Sequence, residues 1–252
     1  MKKWLSELSV SGVSVKFEDG VVVINYGENI FDIFFDLAAR DSYLDMLNAI
    51  NYDPDVKVVL SLNEHGCLGE EPYERYIKKL SGKSVPVDIE ASWDVHENVG
   101  RAREFNFHHY TISKRLALSK LVIDGLQGTV VTPFFGESLS ADLRFVSEDF
   151  KFSLAHKKYG IHPTGGLAFF LPRYVGQGKS NDILFATDIL DAKSALDLGL
   201  VTQVLPNASF ETNAIQLAKE LAKLSPVTVR LTKKLSFRDE QALNDYFELE
   251  RK

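Results

Sequence analysis

The chain has a single cysteine, Cys67, among its 252 residues, so no intrachain disulfide can form. A chain of this length can be held by a buried apolar core instead, and a reducing compartment is the setting that such cysteine usage fits. It also lacks a long hydrophobic run. No segment approaches the ~18 consecutive apolar residues of a membrane span, and Met1-Lys-Lys-Trp-Leu-Ser-Glu-Leu8 has charge without a long apolar stretch, so no membrane association is expected and the protein is read as cytoplasmic. Basic residues are in the minority as well. With 29 Lys and Arg against 35 Asp and Glu, the net charge is −6, which disfavours a general nucleic-acid binder because phosphate contact favours basic faces.

What the chain does have is an ordinary globular balance, 45% hydrophobic and 25% charged residues, which points to one large soluble domain with a full core. Apolar and polar residues alternate from Val13 to Tyr26 around Asp19-Gly20, the dipeptide of tight hairpin turns, so a β-hairpin should open the fold. From Ile30 to Ile50 the apolar positions recur at helical spacing, predicting an amphipathic helix with a break near Arg40-Asp41. Val56 to Leu62 reads as a buried strand, and Pro72 to Leu80 as a helix. Between Ser81 and Gly100 the periodic signal weakens around Trp93 and His96, predicting an irregular excursion, with Trp93 and its loop either a substrate lid or a simple surface excursion. Ala102, Phe105, His109, Ile112 and Leu116 then mark one face of a further helix. Leu200 to Pro206 reads as a strand, and Ala214 to Leu224 as a helix followed by the Ser225-Pro226 start of another.

The richest stretch runs from Lys120 to Gly176. A short apolar strand, Leu121-Val-Ile123, breaks into a turn that carries Thr132-Pro-Phe-Phe-Gly-Glu137 into a helix. A strand that ends in a turn and opens a helix presents backbone N–H groups to an anion or a developing oxyanion. Ser147-Glu-Asp149, Phe152, Gly160, Pro163, Gly165-Gly166, Leu171-Pro-Arg173 and Val175-Gly176 follow in order, and the series continues into Ala192-Lys-Ser-Ala-Leu-Asp-Leu-Gly-Leu-Val-Thr-Gln-Val-Leu-Pro206.

This ordered series resembles the crotonase (enoyl-CoA hydratase/isomerase) superfamily over nearly the whole chain. The resemblance implies an α/β fold, the ClpP-like crotonase spiral of ββα units over residues 1–206, with a helical trimerisation region over 207–252. It further implies a homotrimer or hexamer, a small-molecule substrate of the acyl-CoA or related carbonyl type, no cofactor and no metal. Members hold the carbonyl oxygen between two backbone N–H groups. The first donor falls on Glu70, after Gly69 of Cys67-Leu-Gly69. The second falls in a run of three glycines in the family, which aligns here on Thr132-Pro133-Phe134.

The middle position is therefore Pro133, which has no N–H to give; a shift by one residue brings Phe134 N–H into its place. The two hydratase glutamates align on Gly136, with Glu137 beside it, and on His156. Histidine is a competent base near neutral pH, so His156 and Glu137 are the expected catalytic side chains, and Gly69, Trp93 and His109 the expected pocket neighbours. The histidine at the second glutamate position, the missing triple glycine and an end at Lys252, short of the family's adenine-covering helix, are also similar to the crotonase-fold hydrolases of β-diketones. Pro133 leaves a third alternative, a member that binds or assembles without catalysis.

Overall fold

Asp19 and Gly20 both adopt positive φ, 49° and 81°, the backbone that a tight two-residue hairpin turn requires. In the computed structural model, which describes residues 2, 10–81, 98–236 and 239–251, this turn joins β1 (Val13–Glu18) to β2 (Val21–Tyr26) in antiparallel register, Glu18 opposite Val21. The strands β3 (Val58–Asn63), β4 (Leu121–Leu126), β6 (Leu143–Ser147) and β9 (Gln203–Leu205) then add in parallel, giving a six-stranded sheet in the order β1-β2-β3-β4-β6-β9. A second sheet of three short strands, β5 (Thr129–Val131), β7 (Lys151–Ser153) and β8 (Ile189–Asp191), runs in the order β5-β7-β8.

Parallel strands need helical crossovers, and the helices α1 (Leu37–Tyr52), α2 (Glu70–Ser81), α3 (Val99–Ala117) and α4 (Thr132–Ser138) supply material between them. After these come α5 (Leu167–Asn181), α6 (Ala192–Asp197), α7 (Phe210–Leu221), α8 (Pro226–Ser236) and α9 (Glu240–Glu250). Inside its edge strands β1 and β9, the sheet is buried on both faces. Val22 and Ile24 enter the main core, while Val21 and Val23 join Leu60, Leu62 and Ile123 against Phe210, Ala214 and Ala218 of α7. Two-sided burial is why β2 reads Val-Val-Val-Ile with no alternation. It also means that α7, the first helix beyond residue 206, shares a core with the sheet, whereas α8 buries none of its side chains.

Several expectations shift in detail. The break in the Ile30–Ile50 segment lies at Phe35-Asp36 and not at Arg40-Asp41: a 3-10 turn over Ile30–Phe34 ends there, and Asp36 caps α1 by accepting from Ala39 N at 3.0 Å. Replacing such a cap by alanine costs about 1 kcal/mol, so Asp36→Ala should lower the stability measured by chemical denaturation by that amount without altering the fold. The α5 helix runs through Pro172, and its regular geometry is broken at Gly176, φ 75°. The expected excursion around Trp93 and His96 lies outside the described residues. No helix among the described residues is long and apolar enough to cross a membrane.

Candidate active site

The first turns of α2 and α4 lie side by side. Val131 N–H donates to Leu68 O at 2.9 Å, which stitches the residue before α4 to the loop before α2. Gly69 sits tightly in that seam, since a Cβ there would come within 3.1 Å of Gly66 O and 3.6 Å of Thr129 O. The amides of a helix's first turn have no intrahelical acceptor. Glu70 is the first residue of α2, and Phe134 the third of α4, preceded by Pro133 whose missing N–H would have been unsatisfied anyway. Proline thus removes one donor without disturbing the helix, and Phe134 offers the next one.

Around this seam the chain gathers a polar cluster. Ser153 Oγ donates to Glu70 Oε1 at 2.6 Å, and Lys158 pairs with the other carboxylate oxygen. Burial works to raise the Glu70 carboxyl, but the Lys158 and Ser153 hydrogen bonds outweigh it and hold the group below the usual carboxylate range. His156, in a one-turn 3-10 helix over Ala155–Tyr159, is only 3% exposed, and its Nδ1 lies 2.7 Å from Thr132 Oγ1. The Thr132 hydroxyl donates to Ser153 O at 3.4 Å. It can then accept the Nδ1 proton's hydrogen bond, which leaves the Nε2 lone pair of His156 for a ligand. Burial first, then the charges of Arg101 and Lys157, push the imidazole down to about 3, so it is neutral throughout the physiological range.

A loop closes this cluster from the other side. A Cβ on Gly165 would fall 2.0 Å from Pro133 O, and one on Gly136 would fall 2.7 Å from Gly165 O. Only glycines allow the Gly165-Gly166 backbone, at φ 70° and 73°, to lie against α4 this closely. The Gly136 position, where the resemblance expected a carboxylate, is filled by this backbone contact.

Glu70, Pro133, Phe134, Gly69 and His156 are therefore brought together through Thr132 and Ser153. Glu137 and His109 are not. The Glu137 carboxylate turns to α3, accepting from His108 Nδ1 at 2.6 Å and from Arg115 at 3.2 Å, because it is one residue, about 100° of helix, beyond Gly136. His109 stacks on Phe247 of α9 at 4.4 Å and bonds Asn244 and Arg251. The Phe134 side chain enters an aromatic cluster, edge-on to Phe31 at 5.2 Å and beside Phe34, Tyr26 and His108. Trp93 is outside the described residues.

Sequence reasoning missed the inner face of α3. Arg101, Glu104, His108, Thr111 and Arg115 are all buried there. Arg101 bonds Glu104 at 2.5 Å, Glu104 also receives Tyr76 and Thr164 hydroxyls, and Arg115 bridges Asp124 at 2.6 Å to Glu137. Their spacing of three and four residues is a helical stripe, and it was the available signal: a polar stripe at the period of a buried face.

The enoyl-CoA hydratase/isomerase family profile matches residues 93–252, and the chain belongs to that family. The short-chain-enoyl-CoA hydratase of Clostridium acetobutylicum is 28% identical over 137 residues, 54% of this chain and 52% of the relative. The crotonyl-CoA hydratase of Syntrophomonas wolfei is 24% identical over 190 residues, 75% of this chain and 67% of the relative. The chain spans about half the length of the first of these and 54% of the putative enoyl-CoA hydratase of Thermus thermophilus. Among solved structures, the enoyl-CoA hydratase from Bacillus halodurans superimposes with a TM-score of 0.73 at 18% identity, covering 96% of this chain and 92% of that one. The enoyl-CoA hydratase/isomerase from Cupriavidus metallidurans gives 0.69 at 24% identity. The α/β crotonase fold with its helical C-terminal region is thereby established.

Proposed function

We propose that the protein binds an acyl-CoA or related carbonyl compound and stabilises its enolate. The carbonyl oxygen is held by the Glu70 and Phe134 amides, and His156 Nε2 takes the proton from the adjacent carbon. As that C–H bond breaks, its electron pair moves to the carbonyl oxygen, where two fixed donors oppose the developing charge. The neutral imidazole accepts the proton and returns it to carbon, gaining stability from the enolate beside it. The observation that carries this reading is the Val131–Leu68 hydrogen bond of 2.9 Å, which sets the two helix starts side by side with His156 on Thr132 of the second. Membership of the enoyl-CoA hydratase/isomerase family supports the substrate class.

His156, in place of a carboxylate, also favours a second reading, a CoA-independent hydrolase of β-diketones. Isothermal titration separates the two. Saturable heat with a CoA thioester and none with a β-diketone supports the first; the reverse supports the second. Absence of turnover across a panel of enoyl-CoAs and diketones would leave a binding or assembly subunit. We also propose that the chain works as a homotrimer or hexamer through residues 207–252, which sedimentation would test.

A further inference from the structure

Glu104 of α3 accepts hydrogen bonds from two sides at once. Its Oε2 takes the hydroxyl of Tyr76, on α2, and Arg101 Nη1 at 2.5 Å. Its Oε1 takes Thr164 Oγ1 at 2.8 Å, from the loop that leads into α5. Arg101 reaches the same loop, since its Nη2 donates to His162 O at 3.2 Å, and the His162 ring stacks on Phe105 with centroids 5.4 Å apart. Arg101, Tyr76, Glu104 and Thr164 are all buried. An ionised carboxylate suits this place because it only accepts, and three donors converge on it. Burial works to raise the Glu104 carboxyl, but opposing contributions led by the Arg101 charge hold it below the usual carboxylate range.

Both sides of Glu104 lead to the proposed amide donors. Tyr76 belongs to the helix whose first residue is Glu70. Thr164 belongs to the loop that lies against the first turn of α4, where a Cβ on Gly136 would stand 2.9 Å from Thr164 O and one on Gly165 would fall 2.0 Å from Pro133 O. Phe134 follows Pro133 in that turn.

We propose that Glu104, held by Arg101, is a positioning residue that sets the spacing of the two donor amides, by tying α2 to the Thr164 loop and through that loop to the first turn of α4. It acts through the backbones of Glu70 and Phe134. Oxyanion donors are effective when they are fixed before the charge develops, and a misplacement of about 1 Å can cost about 100-fold in rate. The part Glu104 plays in turnover rests on the proposed enolate chemistry; the tie between the two helix starts does not.

Replacing Glu104 itself would strand the Arg101 charge in the interior, so its partners are the places to test. Thr164→Val keeps the shape and loses the hydroxyl, whereas Thr164→Ser keeps the hydroxyl. The valine variant should lower kcat about 10- to 100-fold with KM little changed, and the serine variant should retain most of the wild-type rate. A valine variant that melts lower but keeps its kcat, or a serine variant as slow as the valine, overturns the positioning role. Tyr76→Phe cuts the other end of the tie. Combined with Thr164→Val it should lose less than the product of the two single losses, and a full product overturns the link between the helices. Crystal structures of the wild type and Thr164→Val should differ in the Glu70 N to Phe134 N separation by about 0.5 Å or more; an unchanged separation overturns the proposal. Should no compound be turned over, the enolate reading falls, and the amide separation still decides the tie.

Discussion

His156→Ala should reduce kcat/KM by about 100- to 10,000-fold, the range a positioned acid–base side chain supplies, on whichever thioester or diketone is turned over. Among the described candidates, His156 is the group with a nitrogen left for a ligand and a hydroxyl, Thr132 Oγ1 at 2.7 Å, fixing the other. Because the ring is buried, alanine also leaves a cavity, so the variant that isolates chemistry is His156→Gln. It fills much of the space and can keep the Thr132 contact, yet it accepts no proton. Both variants should lose activity alike while circular dichroism and melting temperature stay near wild type for the glutamine. Retention of wild-type rates by the glutamine variant would remove His156 from the reaction and leave the amide pair as the sole surviving element of the proposal.

Arg115→Met should destabilise the fold by about 3–5 kcal/mol, the cost of leaving buried charges without their partner. The guanidinium lies between Asp124 at 2.6 Å and Glu137 at 3.2 Å, all three at 4% side-chain exposure. Burial already raises the Asp124 carboxyl, with Arg115 opposing that rise, so removing the cation pushes it further toward its neutral form. Urea denaturation should show the loss in midpoint. Replacing Arg115, Asp124 and Glu137 together by apolar residues of similar volume should recover much of it, because the desolvation cost disappears with the charges. A small effect of the single variant would mean that the network is relaxed by solvent.

The elements that were legible in the sequence are those whose patterns carry their own geometry. Asp19-Gly20 predicted the opening turn because few other residues accept two positive φ angles. The face of α3 was read only in part, because periodicity was sought in apolar positions. Phe105 and Ile112 of the expected face are buried and Ala102 is exposed, while the charged Arg101, Glu104 and Arg115 are buried as well. A buried polar face has the same period as a solvated one, and only the partners brought to it from β4, α2 and α4 distinguish them.

Sequence alone determined the crotonase frame, since that follows from local order along the chain, and it proposed Glu70 and His156 as site residues by resemblance. Tertiary structure decided what Pro133 and Glu137 mean. Pro133 falls at the second position of α4, where a missing N–H costs nothing and Phe134 stands next in line. Glu137 faces His108 and Arg115 because a helix turns about 100° per residue, and one residue separates the side that meets the loop at Gly165 from the side that meets α3.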